Sequence, residues 1–254
     1  MSRAEPGLPA SPEQPTVAAR GLGKAYRGRW VIRDLSFTLL PGALLGLVGA
    51  NGGGKTTTLR MLAGLVTPDA GDGNVLGHPL GRPDARLRRR IGYMSQRLSL
   101  YPELSVAENL CFRAEALALK NPRSVVERGA ARFGLAPVMT TRVERLSGGW
   151  ARRAQFAATM TGDPPLLLLD EPTAGLDILT RRAIWRWLAE LAAMGHSIVI
   201  STHDLTEAER CPSILYYADS GADGPMPPAT LIARGGGGSL EEALVHLAEH
   251  ADEG

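Results

Sequence analysis

The sequence predicts a parallel α/β domain interrupted by a block of helices, and three features carry that reading. An apolar run at residues 43–48 gives way to a glycine-rich loop and then to leucines at helical spacing. A second apolar run, residues 166–169, opens a renewed alternation of strand and helix. Between the two, residues 105–160 are helical in character almost throughout.

The elements follow in order. Residues 1–15 are rich in proline and read as a flexible N-terminal tail, and the main domain is expected over 16–232. Residues 30–40 form a strand-like stretch that stops at Pro41-Gly42, and residues 43–48 have the composition of a buried strand. Leu59, Leu62 and Leu65/Val66 then mark a helix. A helical subdomain is expected to be inserted at about 97–162. Within it, Ser105 and Glu108 form a capping box ahead of the stripe Val106, Leu110, Ala114 and Leu117. Asn121 followed by Pro122 opens a second helix that Gly134 closes, and Ser147 caps a third that ends near Gly162. Residues 166–169 are a strand, 180–194 a helix and 198–200 a further strand. Residues 235–238 read as a linker, leaving 233–254 as a C-terminal tail with one short helix.

Composition narrows the function. With 28 Lys and Arg against 26 Asp and Glu, the formal charge is +2, and hydrophobic residues make up 44%. That balance excludes a disordered chain and gives no push toward nucleic acid or acidic lipid. Arg82, Arg86, Arg88, Arg89 and Arg90 cluster, and a solvated basic face explains them better than a nucleic-acid patch. Two cysteines, Cys111 and Cys211, are too few for a disulfide scaffold; they read as small apolar side chains in a reducing compartment. No apolar run approaches the roughly 18 residues that a membrane span needs, and the N-terminus lacks the apolar core of a secretory signal. Any membrane role therefore has to come through a partner.

Three motifs carry chemistry. Gly49-Ala50-Asn51-Gly52-Gly53-Gly54-Lys55-Thr56 fits G-x-x-x-x-G-K-[ST] at every fixed position. Its glycines let successive backbone N–H groups surround a polyphosphate, and the following helix adds its positive end. Lys55 supplies a point charge to the β- and γ-phosphates, and the Thr56 hydroxyl is a Mg²⁺ ligand. Residues 166–169 deliver Asp170 and Glu171 at the C-terminal end of a strand, where open α/β sheets place ligands. Asp170 suits Mg²⁺, directly or through water, and Glu171 suits a base that polarises water for attack on the γ-phosphate. Leu146-Ser147-Gly148-Gly149-Trp150 is a second anion-binding helix start. One nucleotide already has a cradle, so this one is surplus unless it serves the γ-phosphate of another molecule.

With these motifs in this order, residues 17–204 resemble the nucleotide-binding subunit of an ABC transporter. The resemblance implies a P-loop NTPase core with a parallel sheet, an N-terminal antiparallel β part and the inserted helical subdomain. Gly49, Ala50, Asn51, Gly52, Gly53, Gly54, Lys55, Thr56 and Thr57 match the Walker A loop, and residues 166–171 match the Walker B strand. Ser147, Gly148 and Gly149 match the family signature and would touch the γ-phosphate. Gln96 matches the loop glutamine that touches Mg²⁺ and water and faces the membrane subunit. Asp177 matches the loop that crosses the dimer interface, and His203 the switch histidine near the γ-phosphate. Tyr26 matches the aromatic that stacks on adenine, with Trp30 a nearby competitor. By themselves three of these have plainer readings: His203 as a satisfied strand-end histidine, Tyr26 as a packing side chain and Gln96 as a surface polar residue.

The implied function is hydrolysis of ATP with Mg²⁺ in a sandwich dimer, homomeric or heteromeric. In each site one copy supplies Lys55, Thr56, Gln96, Asp170, Glu171 and His203, and the other supplies Ser147 and Gly149. The cycle would drive export through a separate membrane permease, with the protein held at the cytoplasmic face of the inner membrane. The transported substrate would not be contacted, and no nucleic acid is expected. Residues 93–96 and 100–105, with the short tail, resemble the exporter branch. Three features depart from the usual pattern: Trp150 where the family usually has Gln, the extra glycine at Ala70-Gly71-Asp72-Gly73, and a loosened region after Cys211-Pro212. The alternatives are a soluble mechanical ATPase acting on DNA or ribosomes, which usually carries arms or clusters missing here, and a cassette that binds without turnover.

Overall fold

The computed structural model describes residues 14–50, 52–82, 84–218 and 221–251. Most of the N-terminal tail therefore lies outside the described residues, as does Asn51.

The chain opens with β1 (Val17–Tyr26) and β2 (Arg29–Leu39), an antiparallel pair. Then come β3 (Leu44–Gly49), α1 (Lys55–Leu62), β4 (Ala70–Val75) and β5 (His78–Pro79). Strands β1, β2, β4 and β5 form an antiparallel sheet in the order β2-β1-β4-β5. Gly71 and Gly73 belong to β4, where β1 passes so close that a Cβ on Gly71 would sit 2.2 Å from the Gly21 carbonyl oxygen. The extra glycine is thus accommodated by strand-to-strand contact.

Helix α2 (Ala85–Arg89) leads into β6 (Ile91–Met94). The insertion follows as α3 (Val106–Ala116), α4 (Pro122–Arg132) and α5 (Gly148–Met160). The chain returns to the sheet with β7 (Leu166–Asp170), α6 (Ile178–Ala193), β8 (Ser197–Thr202), α7 (Leu205–Ala208), β9 (Ser213–Ala218) and β10 (Gly221–Met226). It ends in α8 (Pro228–Arg234) and α9 (Leu240–Ala251). The second sheet has the order β10-β9-β3-β8-β7-β6, parallel throughout except for β10.

This sheet is buried on both faces, which explains why its strands read as unbroken apolar runs. Leu167 and Leu169 of β7 join one core cluster with α5 and α6, whereas Leu166 and Leu168 join another with α1 and the antiparallel sheet. Phe133, Phe156 and Trp187 meet in the first cluster, with ring centroids 5.0–5.5 Å apart. Cys211 is buried beside Gly46, and burial pushes its thiol pKa up to about 12, as suits an inert apolar side chain.

Four local expectations need correction. Helix α1 stops at Leu62, because Gly64 turns left-handed and the N–H groups of Gly64 and Leu65 close on Met61 and Arg60. Leu65 is consequently exposed instead of lying on the apolar stripe. Asn121 and Ser147 hold the N-cap positions of α4 and α5, yet neither side chain makes a capping bond. Residues 235–238 are no loose linker: a Cβ on Gly235 would sit 2.4 Å from the Cα of Ala243, so α8 and α9 pack at a tight corner with Leu240 fully buried. The stretch after Cys211-Pro212 forms β9 and β10.

Candidate functional site

The site gathers at the C-terminal ends of β3, β7 and β8. Strand β3 ends at Gly49, whose φ of +142° and closeness to β9 require glycine: a Cβ there would lie 2.5 Å from the Tyr217 carbonyl oxygen. The loop continues through Gly52 and Gly53 to Gly54, whose φ is +105° and whose Cβ would meet Ile32 of β2 at 2.7 Å. Helix α1 starts at Lys55 and is fastened to β9 by a buried 2.8 Å hydrogen bond between Thr58 Oγ1 and the Tyr217 hydroxyl. Lys55 is buried, and its Nζ donates to the carbonyls of Gly49 (2.6 Å) and Ala50 (2.9 Å). Burial lowers its pKa, while the charges of Glu171 and Asp170 pull it back up. The ammonium is thus held inside the loop by bonds that a phosphate can replace.

Thr56 Oγ1 lies 2.9 Å from both carboxylate oxygens of Asp170, so the hydroxyl and the carboxylate share one point in space. Ser201, at the end of β8, donates from Oγ to Asp170 Oδ1 at 2.7 Å and accepts from the Glu171 N–H at 3.0 Å. Glu171 adopts φ +49°, a left-handed conformation that a glutamate holds only when its surroundings impose it. Those surroundings are the two bonds from its N–H to Ser201, and they turn the side chain toward His203, whose Nδ1 lies 2.8 Å from Glu171 Oε2.

Gly52, Gly54, Lys55, Thr56, Thr57, Gln96 and Glu171, with Val31 of β2, line one cavity of about 120 Å³. That space suits a phosphate chain. Thr56 and Gln96 on its wall, with Asp170 behind Thr56, are oxygen donors that fit Mg²⁺, which binds through one or two carboxylates plus substrate phosphates in preference to a cage of protein ligands. Among the described residues no cluster of three His, Cys, Asp or Glu could hold a metal ion by itself. A larger cavity of about 530 Å³ lies between α3, α4 and α5; none of these groups lines it, so size is no guide to the chemistry here.

The remaining motif residues lie outside the 120 Å³ cavity. Ser147 and Gly148 are exposed at the start of α5, and Gly148 borders an open groove shared with Gln96, Ala174 and Gly175. Gly149 rests on the start of α6, where a Cβ would meet Thr180 Oγ1 at 3.1 Å and Asp177 Oδ2 at 3.4 Å. Asp177 caps α6 by accepting from the Thr180 N–H at 2.9 Å. Trp150 is half-buried against the core, with Arg153 5.1 Å from its ring centroid and 6.0 Å from that of Trp187. The indole faces its own helix bundle and leaves Ser147 and Gly148 open. Tyr26 is partly exposed at the β1–β2 hairpin, beside Lys24, and does not line the cavity.

Sequence reasoning missed Ser201, Arg152 and Glu207. Buried Glu207 accepts from Thr173 (2.7 Å) and Thr202 (3.0 Å), tying the turn after Glu171 to the turn before His203. Its position three residues after Asp204, the cap of α7, was the available signal.

The sequence profile described as "ABC transporter" matches residues 32–174. The chain is 40% identical over 215 residues to the Nod factor export ATP-binding protein I of Paraburkholderia xenovorans, covering 83% of this chain and 70% of that one. It is 33% identical over 206 residues to the probable multidrug ABC transporter ATP-binding protein YbhF of Escherichia coli, covering 80% of this chain and 36% of that one. A solved structure of an ATP-binding subunit of an ABC transporter superposes with a TM-score of 0.82 at 29% identity, covering 92% of this chain and 99% of that chain.

Proposed function

From the premise that this chain belongs to the ABC transporter family as an ATP-binding subunit, we propose that it hydrolyses ATP with Mg²⁺ between two copies to power export through a separate permease. The observation that carries this reading is the single cavity shared by Lys55, Thr56, Gln96 and Glu171. Lys55 transfers its hydrogen bonds from the carbonyls of Gly49 and Ala50 to the β- and γ-phosphates, and the backbone N–H groups of the loop hold the rest of the chain. Thr56 and Asp170, with Gln96, would hold Mg²⁺, which would supply neutralisation of the phosphate charge. Glu171 accepts the proton of the attacking water, and His203 orients the Glu171 carboxylate. Ser147, Gly148 and Gly149 of the second copy close over the γ-phosphate, a role supported by the exposure of Ser147 and Gly148 and by the position of all three outside the cavity of their own chain. Asp177 lies at that same interface, and Tyr26 stacks on adenine.

The permease docks on the insertion beside Gln96. There Leu98, Tyr101 and Phe112 are each 45–49% exposed, and the last two form an edge-to-face pair at 5.0 Å. Large apolar side chains left open next to the site suit a protein partner. No helix among the described residues is long and apolar enough to cross a membrane. Attachment at the cytoplasmic face runs through that permease. The relatives reported above are named for export and multidrug transport, which favours this reading over an ATPase acting on DNA or ribosomes.

The test is isolation from native membranes. The expected result is Mg²⁺-dependent ATPase activity co-isolating with a polytopic protein, with that association weakened by Phe112→Ser. Recovery with ribosomes or DNA instead would overturn the reading.

A further inference from the structure

Arg152 stands five residues after Ser147 on α5 and is buried, yet no carboxylate touches it among the described residues. All three nitrogens of its guanidinium are spent on other groups. Nε donates to the Pro172 carbonyl at 2.9 Å. One terminal nitrogen donates to the carbonyls of Ser95 (3.2 Å) and Gln96 (2.9 Å) and to Gln155 Oε1 (2.9 Å). The other donates to the carbonyls of Asp170 (3.4 Å) and Glu171. Gln155, one turn further along α5, adds bonds from its amide nitrogen to the carbonyls of Ser95 (3.2 Å) and Arg97 (3.0 Å) and to Ser99 Oγ (3.2 Å).

A buried cation costs more than an apolar side chain of similar size, so packing alone does not account for it. Burial lowers its pKa to about 10, which leaves it charged at neutral pH, and the charges of Asp170 and Glu171 hold it up. What the fork provides is geometry. It grips the backbone of Gln96 and of Glu171, whose side chains line the same cavity, and it does so from the helix whose first residues are Gly148 and Gly149.

We propose that Arg152 is a positioning residue that sets the separation of Gln96 and Glu171 and ties both to the Ser147–Gly149 helix start. One side chain thereby registers the catalytic half-site of a copy against the half-site it offers to its mate. This inference rests on the shared-site reading above.

The test uses Arg152→Met, Arg152→Lys and Gln155→Ala in the full chain, read in two ways. In the nucleotide-free protein, amide hydrogen exchange is expected to speed up at residues 95–99 and 171–175 in both Arg152 variants and to stay unchanged at residues 56–62. Gln155→Ala is expected to loosen 95–99 alone. In turnover, both Arg152 variants are expected to lose about 10²-fold in kcat with KM for ATP shifted by no more than a few-fold, the size of loss typical of misplacement by about 1 Å. Lysine should not rescue, because an ammonium cannot span carbonyls set out for a planar fork. A folded Arg152→Met or Arg152→Lys protein with a lower melting temperature but unchanged kcat, or with unaltered exchange at both loops, would overturn the proposal. Wild-type protein without ATPase activity would instead refute the functional reading, and the exchange result would still decide whether Arg152 holds the two loops.

Discussion

Glu171 Oε2 and His203 Nδ1 lie 2.8 Å apart, joining the ends of two adjacent parallel strands, β7 and β8, by one side-chain contact beside the 120 Å³ cavity that Glu171 lines. Neither residue is placed by local sequence alone. Glu171 is turned by its left-handed backbone and its bonds to Ser201, and His203 follows a strand whose register with β7 sets Ser201 against Asp170. If the imidazole orients the carboxylate, His203→Ala should lower kcat by about 10²–10⁴-fold, the usual worth of a positioned base, and leave ATP affinity within a few-fold. Steady-state ATPase assays beside a binding titration separate the two effects. A loss of binding with kcat intact would contradict the assignment.

Ser201 supports both acids from within the sheet. It is fully buried, donates to Asp170 and accepts from the Glu171 N–H, so Ser201→Ala removes one bond from each, leaving the Glu171 N–H only the carbonyl of residue 201 and the Asp170 carboxylate only the Thr56 hydroxyl. The expected cost is about 1–3 kcal/mol in urea unfolding. Activity should fall as well, because the left-handed turn at Glu171 loses one of its restraints.

Asp177 offers a pH test. The backbone N–H and the hydroxyl of Thr180 hold its carboxyl below the ordinary carboxylate range. The folded state therefore binds this proton less readily than the unfolded state does. The stability this contributes is complete above the ordinary pKa, near about pH 4, and is lost as pH falls through the lowered folded value. Asp177→Asn keeps a capping oxygen but removes the titration, so its melting temperature should fall less steeply than that of wild type below about pH 4. Parallel curves would contradict the assignment.

Much of this was legible in the chain because the signals are local or strongly patterned. The loop from Gly49 to Thr56 reads directly, since its glycines and the Lys-Thr pair stand together in one short stretch of chain. The four leucines of β7 read as a strand because both faces of the sheet are covered. Arg152 was illegible for the opposite reason: its backbone partners lie 18 to 57 residues away, and a helix in which Arg152 and Arg153 adjoin reads as solvated surface. Ser201 was hidden in a strand that reads as apolar. The end of α1 was misplaced because Leu65 and Val66 continue the spacing after Gly64 has already turned the backbone. The Gly235 corner looked loose because a glycine run looks the same whether it is free or pressed against Ala243.

If two copies grip each nucleotide, the Lys55 loop from one side and the Ser147–Gly149 helix start from the other, ATP must control dimerisation. The most direct measurement is the mass in solution, by light scattering, of Glu171→Gln protein with ATP, alone and combined with Ser147→Arg. The account predicts a dimer with ATP and a monomer with ADP for the single variant. For the double variant it predicts a monomer that still binds ATP. A double variant that dimerises as readily as the single one would contradict it, as would a single variant that stays monomeric at saturating ATP.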